Sequence, residues 1–329
     1  MRVIDMHTHT FCPEAERMVD GHRDPMANPY RRDMSPESRE TDAGNRAIYG
    51  PQLKDPSVRL EAMQRMGVDM QMIAPAPAQQ NYWAGADLCL ALSRAQNDHV
   101  AALAATNPDR FAALGTLPMS APAFAADEAS RGVHELGLRG FQIDTRVNAV
   151  ELSDPAFDPV WARLADLDVP LFLHPLGFSD GARLGPFFMV NTVGQPLEET
   201  LAFAHLISGG VLDRFPTLKV VIAHGGGYAP FYVGRMDHAW KVRPEVRRLT
   251  AEPPSAYLRR LWFDTCVFRV EHLTALVDMV GADRVMLGSD YPFDMGDPDP
   301  TAIVHACPDL DPAARSAILG GTAAALFRL

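Results

Sequence analysis

Apolar residues recur along the chain in short, β-rich runs separated by longer stretches of helical spacing. The runs are Arg2–Asp5, Met70–Ala74, Phe111–Leu117, Gly140–Ile143, Pro170–His174, Lys219–His224, Leu261–Thr265 and Arg284–Asp290. Between them, Gly85–Thr106, Ala121–Leu136 and Asp154–Leu167 place apolar residues on one helical face. Asp154-Pro155, Asp311-Pro312 and Ser120 ahead of "APAFAADEA" mark helix starts. A short polar side chain there can accept the free N–H groups of a first turn, and proline has no N–H to satisfy. Strands that alternate with helices imply a parallel sheet, and eight is the number that closes a (β/α)8 TIM barrel. A doubly wound open sheet is the alternative. One stretch breaks the alternation. Phe11–Lys54 is polar, rich in Pro and Arg, and shows little period. It is expected to form an irregular insertion after the first strand, over the C-terminal mouth of the barrel, within a single domain spanning 1–329.

Composition narrows the class. With 329 residues, 47% hydrophobic and 22% charged, the chain is globular rather than disordered or fibrous. No apolar run approaches the roughly 18–20 residues that span a bilayer, and "MRVIDMHTHT" lacks the pattern of a secretory leader. A cytoplasmic location is expected. Thirty basic against 41 acidic residues give a net charge of −11, which works against nucleic acid and anionic membranes as partners. A local basic pocket for a small anion remains compatible with it. Cys12, Cys89, Cys266 and Cys307 lie far apart without C-x-x-C spacing, so neither a zinc finger nor a disulfide framework is indicated.

The candidate chemistry sits at the predicted strand ends. His7 and His9 close the first strand, and side chains two apart on a strand share a face. His174 ends the fifth run, His224 the sixth and Asp290 the eighth. In a barrel all of them face the end where active sites are built. Neutral imidazoles with one carboxylate suit a divalent metal ion, Zn2+ or another borderline ion, with positions left open for water or substrate. A single histidine among eleven says little; five groups at strand ends in this order say much more. Asp5 is either a partner of the histidines or an inward-facing barrel carboxylate. Gly225-Gly226-Gly227 follows no phosphate-loop pattern and is read as a sharp turn beside the pocket. Trp83, Phe188, Tyr228 and Phe293 are candidates to wall a flat substrate.

"DMHTH", "FLHP", "IAHGGGYAPFYVGRMDHAW" and "VMLGSDYPFDMG" resemble the amidohydrolase superfamily, and within it the branch related to aminocarboxymuconate-semialdehyde decarboxylase. The likeness runs through nearly the whole chain and includes "LGLRGFQIDTRVN" and "GGVLDRFPTLKV". It implies that His7, His9, His174 and Asp290 hold one divalent ion, Zn2+ or Mn2+. It further implies that His224 is the acid/base group, counted with Asp290 as catalytic. Arg235 matches an arginine that binds a substrate carboxylate, often across a dimer interface, so a homodimer is expected. Arg46 is the arginine nearest to a second carboxylate-binding one. Phe188 and Asn191 replace the family's tryptophans, and with Phe293 they complete the substrate-binding set.

A metal ion lowers the pKa of bound water from about 15.7 toward about 7, and an unperturbed histidine titrates at about 6.5. Loss of CO2 from an unsaturated carbon requires that carbon first to become tetrahedral. The sequence therefore reads as a metal-dependent, non-oxidative decarboxylase of a small unsaturated or aromatic carboxylic acid. The alternative is a metal-dependent hydrolase of a lactone, amide or imine in aromatic-compound catabolism, which the same groups would serve.

Overall fold

In the computed structural model, residues 2–22, 28–178 and 181–329 are described. Among them, eight parallel strands alternate with helices: β1 (Ile4–Thr10), β2 (Met70–Pro75), β3 (Phe111–Ala113, resumed at Gly115–Thr116), β4 (Phe141–Ile143), β5 (Leu171–Leu173), β6 (Val220–Ile222), β7 (Trp262–Asp264) and β8 (Val285–Met286). Each strand pairs with the next in chain order. The ring closes where β1 meets the residues that follow β8. Met6 N–H donates to Leu287 O at 2.9 Å, Asp290 N–H to His7 O at 2.9 Å and His9 N–H to Tyr291 O at 2.8 Å. A closed (β/α)8 barrel results, and the open-sheet alternative is excluded.

The alternation of side chains along each strand builds two layers. Ile4, Met6, Met72, Leu114, Phe172, Val221 and Met286 fill the barrel interior, joined by Ala323, Leu326 and Phe327 of the last helix, Thr322–Phe327. Phe111, Phe141, Ile143, Leu173, Ile222 and Phe263 face outward against Trp161, Phe203 and Leu206 of the surrounding helices. Both faces are buried, as a parallel sheet under helices requires.

Local signals mostly hold. Asp154 accepts from Ala156 N–H and Asp311 from Ala314 N–H at their helix starts. Ser120 does not cap; Ala121 occupies that place, and the Ser120 hydroxyl reaches the Ala84 carbonyl instead. The segment 11–54 departs most from expectation. Rather than an irregular loop, it contains the helices Pro13–Val19, Pro29–Asp33 and Pro36–Lys54. All three open on proline, and the third is capped by Ser35, which accepts from Ser38 N–H. Of that helix only Tyr49 and Leu53 are buried. Two inward residues leave no apolar stripe for a periodicity argument to find. Tyr30 packs on Gly177 after β5, and Tyr49 packs on Phe293 after β8.

Candidate metal centre

The centre begins with a bulge in β1. Asp5 pairs with Gln71, but the next registered partners are Thr8 and Ile73, so β1 carries one residue more than β2 across this stretch. Met6 packs into the barrel interior and His7, the very next residue, also turns inward beside Phe172. A bulge re-aims side chains in this way. Asp5 is thereby left on the outer side. It accepts from the N–H groups of His7 and Ser289 and from Ser289 Oγ, and it meets Gln71, which takes a hydrogen bond from the buried Arg59. Asp5 thus ties together the two backbone segments that carry His7 and Asp290; it is not an inward barrel carboxylate.

Asp290 Oδ1 lies 3.2 Å from His7 Nε2, 3.0 Å from His9 Nε2 and 3.7 Å from His174 Nε2. All four side chains are buried, and one ligand atom from each lies within 4.8 Å of the others. His7 Nε2 and His174 Nε2 are buried without a hydrogen-bond partner among the described residues. Three converging nitrogens, two of them otherwise costly orphans, and one carboxylate fit a divalent cation. The far sides of two of the rings are fixed: His7 Nδ1 meets Asp264 Oδ2 at 2.7 Å and His174 Nδ1 meets the Pro175 carbonyl at 2.9 Å. Such partners set the tautomer that presents Nε2. Burial holds His9 down to about 4 and His174 to about 3, which keeps both neutral. On His7 burial is overcome by Asp290 and Asp264, which lift it to about 9. Burial likewise works against the Asp290 charge, yet the surrounding imidazoles hold its carboxyl well below the usual range.

His224 stands beside this group rather than in it. Its Nε2 lies 3.5 Å from Asp290 Oδ2, the other oxygen of that carboxylate, and its Nδ1 is hydrogen-bonded to Glu199 Oε1. Burial opposes its charge, but the Glu199 and Asp290 carboxylates hold His224 well above the ordinary histidine value. Both His224 (φ 50°) and Asp290 (φ 59°) sit in the left-handed region. Non-glycine residues pay for that conformation, and it concentrates at functional sites.

The substrate residues divide. Phe293 lies against the centre, its ring 5.3 Å from that of His9. Phe188 and Asn191 both meet Tyr30, the first by ring contact and the second by a hydrogen bond to the phenol. Arg46 is exposed and ion-paired with Asp42. Arg235 is exposed on the helix Ala229–Val242 and makes no ion pair among the described residues. Sequence reasoning missed Asp264 and Glu199. Asp264 gave one signal, an ionisable residue ending the apolar run "LWFD"; it also accepts from the N–H groups of His224 and Gly225 and so joins β7 to the glycine turn.

A family model described as amidohydrolase matches residues 4–329. The 2-amino-3-carboxymuconate-6-semialdehyde decarboxylase of Dictyostelium discoideum is 36% identical over 270 residues, covering 82% of this chain and 75% of that one. The solved structure of 5-carboxyvanillate decarboxylase from Sphingomonas paucimobilis superposes with a TM-score of 0.87 at 28% identity, over 100% of this chain and 99% of that one. A further 5-carboxyvanillate decarboxylase, from Novosphingobium aromaticivorans, shares the fold (TM-score 0.85, 24% identity, 100% and 97% covered) and was solved with manganese and 3-methoxy-4-hydroxy-5-nitrobenzoic acid bound.

Proposed function

The chain belongs to the amidohydrolase family, and from that premise we propose that it is a metal-dependent, non-oxidative decarboxylase of a small unsaturated or aromatic carboxylic acid. One observation carries the reading: His7, His9, His174 and Asp290 converge while His224 faces the second oxygen of Asp290 with Nε2. When bound, a divalent ion in that cluster supplies positive charge for the substrate's acidic and electron-rich groups. Zn2+ is the ion we propose, with Mn2+ the alternative that the same donors accept.

The chain's own groups account for the rest. Phe293, backed by Tyr49, gives the acid a flat wall beside His9. Phe188 and Asn191 bound it on the Tyr30 side. His224 delivers a proton from Nε2 to the carbon that carries the carboxylate. That carbon becomes tetrahedral, the bond to the carboxylate breaks, and its electron pair restores the π system as CO2 leaves. One proton has replaced one CO2, and solvent returns the proton to His224. Arg235 is proposed to serve the pocket of a second subunit in a homodimer, and Arg46 to assist at the mouth once freed from Asp42. A cytoplasmic location is part of the proposal; no helix among the described residues is long and apolar enough to cross a membrane.

The test is a panel of acids labelled with 13C in the carboxyl group, comprising muconate-type semialdehydes and hydroxybenzoates. Release of labelled CO2 with one proton gained per product supports the reading. Consumption of a lactone, amide or imine, with no acid decarboxylated, would replace it with the hydrolase.

A further inference from the structure

Resting on the reading of His224 as the proton-transfer group, we propose that Glu199 is the positioning residue that makes it one. Glu199 lies on the helix Gly194–Ser208 and its side chain is fully buried. A carboxylate so placed is costly unless a partner holds it. Its partner is His224 Nδ1, met by Oε1, while Oε2 is buried without a hydrogen-bond partner among the described residues. The adjacent acid, Glu198, meets the Thr145 hydroxyl. Glu199 is the one that meets His224.

The backbone is shaped to bring this pair together. After His224, Gly225, Gly226 and Gly227 all take positive φ. The turn folds back onto the helix so closely that a Cβ at Gly227 would lie 2.2 Å from the Pro196 carbonyl and 2.9 Å from Glu199 Oε2. Only a glycine permits that approach. The consequence falls on the imidazole. Its two nitrogens face two carboxylates, Glu199 on one side and Asp290 at 3.5 Å on the other. Asp290 already converges with His7, His9 and His174 and cannot by itself decide which nitrogen of His224 it meets. Glu199 decides it. Accepting from Nδ1–H, it fixes both the ring orientation and the tautomer, so that Nε2 is always the atom presented to substrate.

The test uses the zinc-loaded enzyme and three variants. In Glu199→Ala, kcat should fall about 10–100-fold, the usual scale for such partners, with KM within about threefold of wild type and the metal content unchanged. Glu199→Gln, whose amide oxygen still accepts from Nδ1, should recover most of that loss. With 15N-labelled histidine, NMR should show the His224 ring protonated at Nδ1 in wild type and in Glu199→Gln but not in Glu199→Ala. Should the alanine variant fail to fold, Glu199→Met, of similar volume, carries the same readings. Wild-type kcat in Glu199→Ala, an equal loss in Glu199→Gln, loss of the metal, or an unaltered His224 signal would each overturn the proposal. His224→Asn separates it from its premise. Full turnover in that variant overturns the proton-transfer reading and this proposal with it. An inactive His224→Asn beside a fully active Glu199→Ala overturns this proposal alone.

Discussion

His7, His174 and His224 are each defined by what their other nitrogen touches. His174 is locked by the Pro175 carbonyl and, among the described residues, has only the cluster to meet at Nε2; His174→Ala should therefore lose most of its metal, read as ions per chain by elemental analysis. His224 should behave oppositely. His224→Asn is expected to keep the metal while turnover drops about 10²–10⁴-fold, the scale of a general acid–base group. Asp144, which follows β4 and accepts from Leu176 N–H, offers a pH test. Burial and the nearby Glu198 raise it to about 7. The folded state therefore holds this proton more tightly than the unfolded chain does. The stabilisation is complete below about pH 4 and is lost as pH rises through about 7. Asp144→Asn, which cannot ionise, should gain on wild type by about 4 kcal/mol at pH 8 and by about 1.5 kcal/mol at pH 5. Paired melting curves check it. The convergence of His7, His9, His174 and Asp290 was legible because strand ends in a barrel share one face. Asp264 and Glu199 were not: they serve histidines 257 and 25 residues away in the chain, and no local pattern joins them.

At the level of elements, the β1 bulge and the glycine turn after β6 do the positioning. The three glycines read as a sharp turn in the sequence, but the bulge and the contact that Gly227 makes could not be read from residue types. A bulge is a mismatch between two strands, and Gly227 owes its role to the carbonyl of Pro196 on another element. Gly227→Ala must separate that contact at a φ of +61°, so a destabilisation of about 1–3 kcal/mol is expected, with activity falling beyond what the lost folded fraction explains. Denaturant titration beside kcat measures both. The long amphipathic helices and the strand order were visible as periodicity. The helix Pro36–Lys54 was not, because it is held by a cap, a proline and two buried residues rather than by an apolar face. Ser35→Ala should cost about 1 kcal/mol, the usual value of an N-cap.

The whole molecule gathers distant parts of the chain into one ring, closed by β1 against the residues after β8. Its outer surface is uneven. Around Arg235 the helix Ala229–Val242 exposes Phe231 and Tyr232, the latter 64% accessible. A large exposed aromatic group of this kind favours association. We expect a homodimer by analytical ultracentrifugation, and Tyr232→Asp should shift it toward monomer with loss of turnover; a fully active wild-type monomer would count against Arg235 serving a neighbour. The central claim is that one divalent ion, held by His7, His9, His174 and Asp290, makes the chain a decarboxylase. It is tested most directly by stripping the enzyme with chelator and titrating Zn2+ or Mn2+ back while CO2 release is followed. CO2 release should rise in proportion to added metal and level off at one equivalent per chain, with His174→Ala unrestored. CO2 release that persists without metal, or levels off at two equivalents, would contradict it.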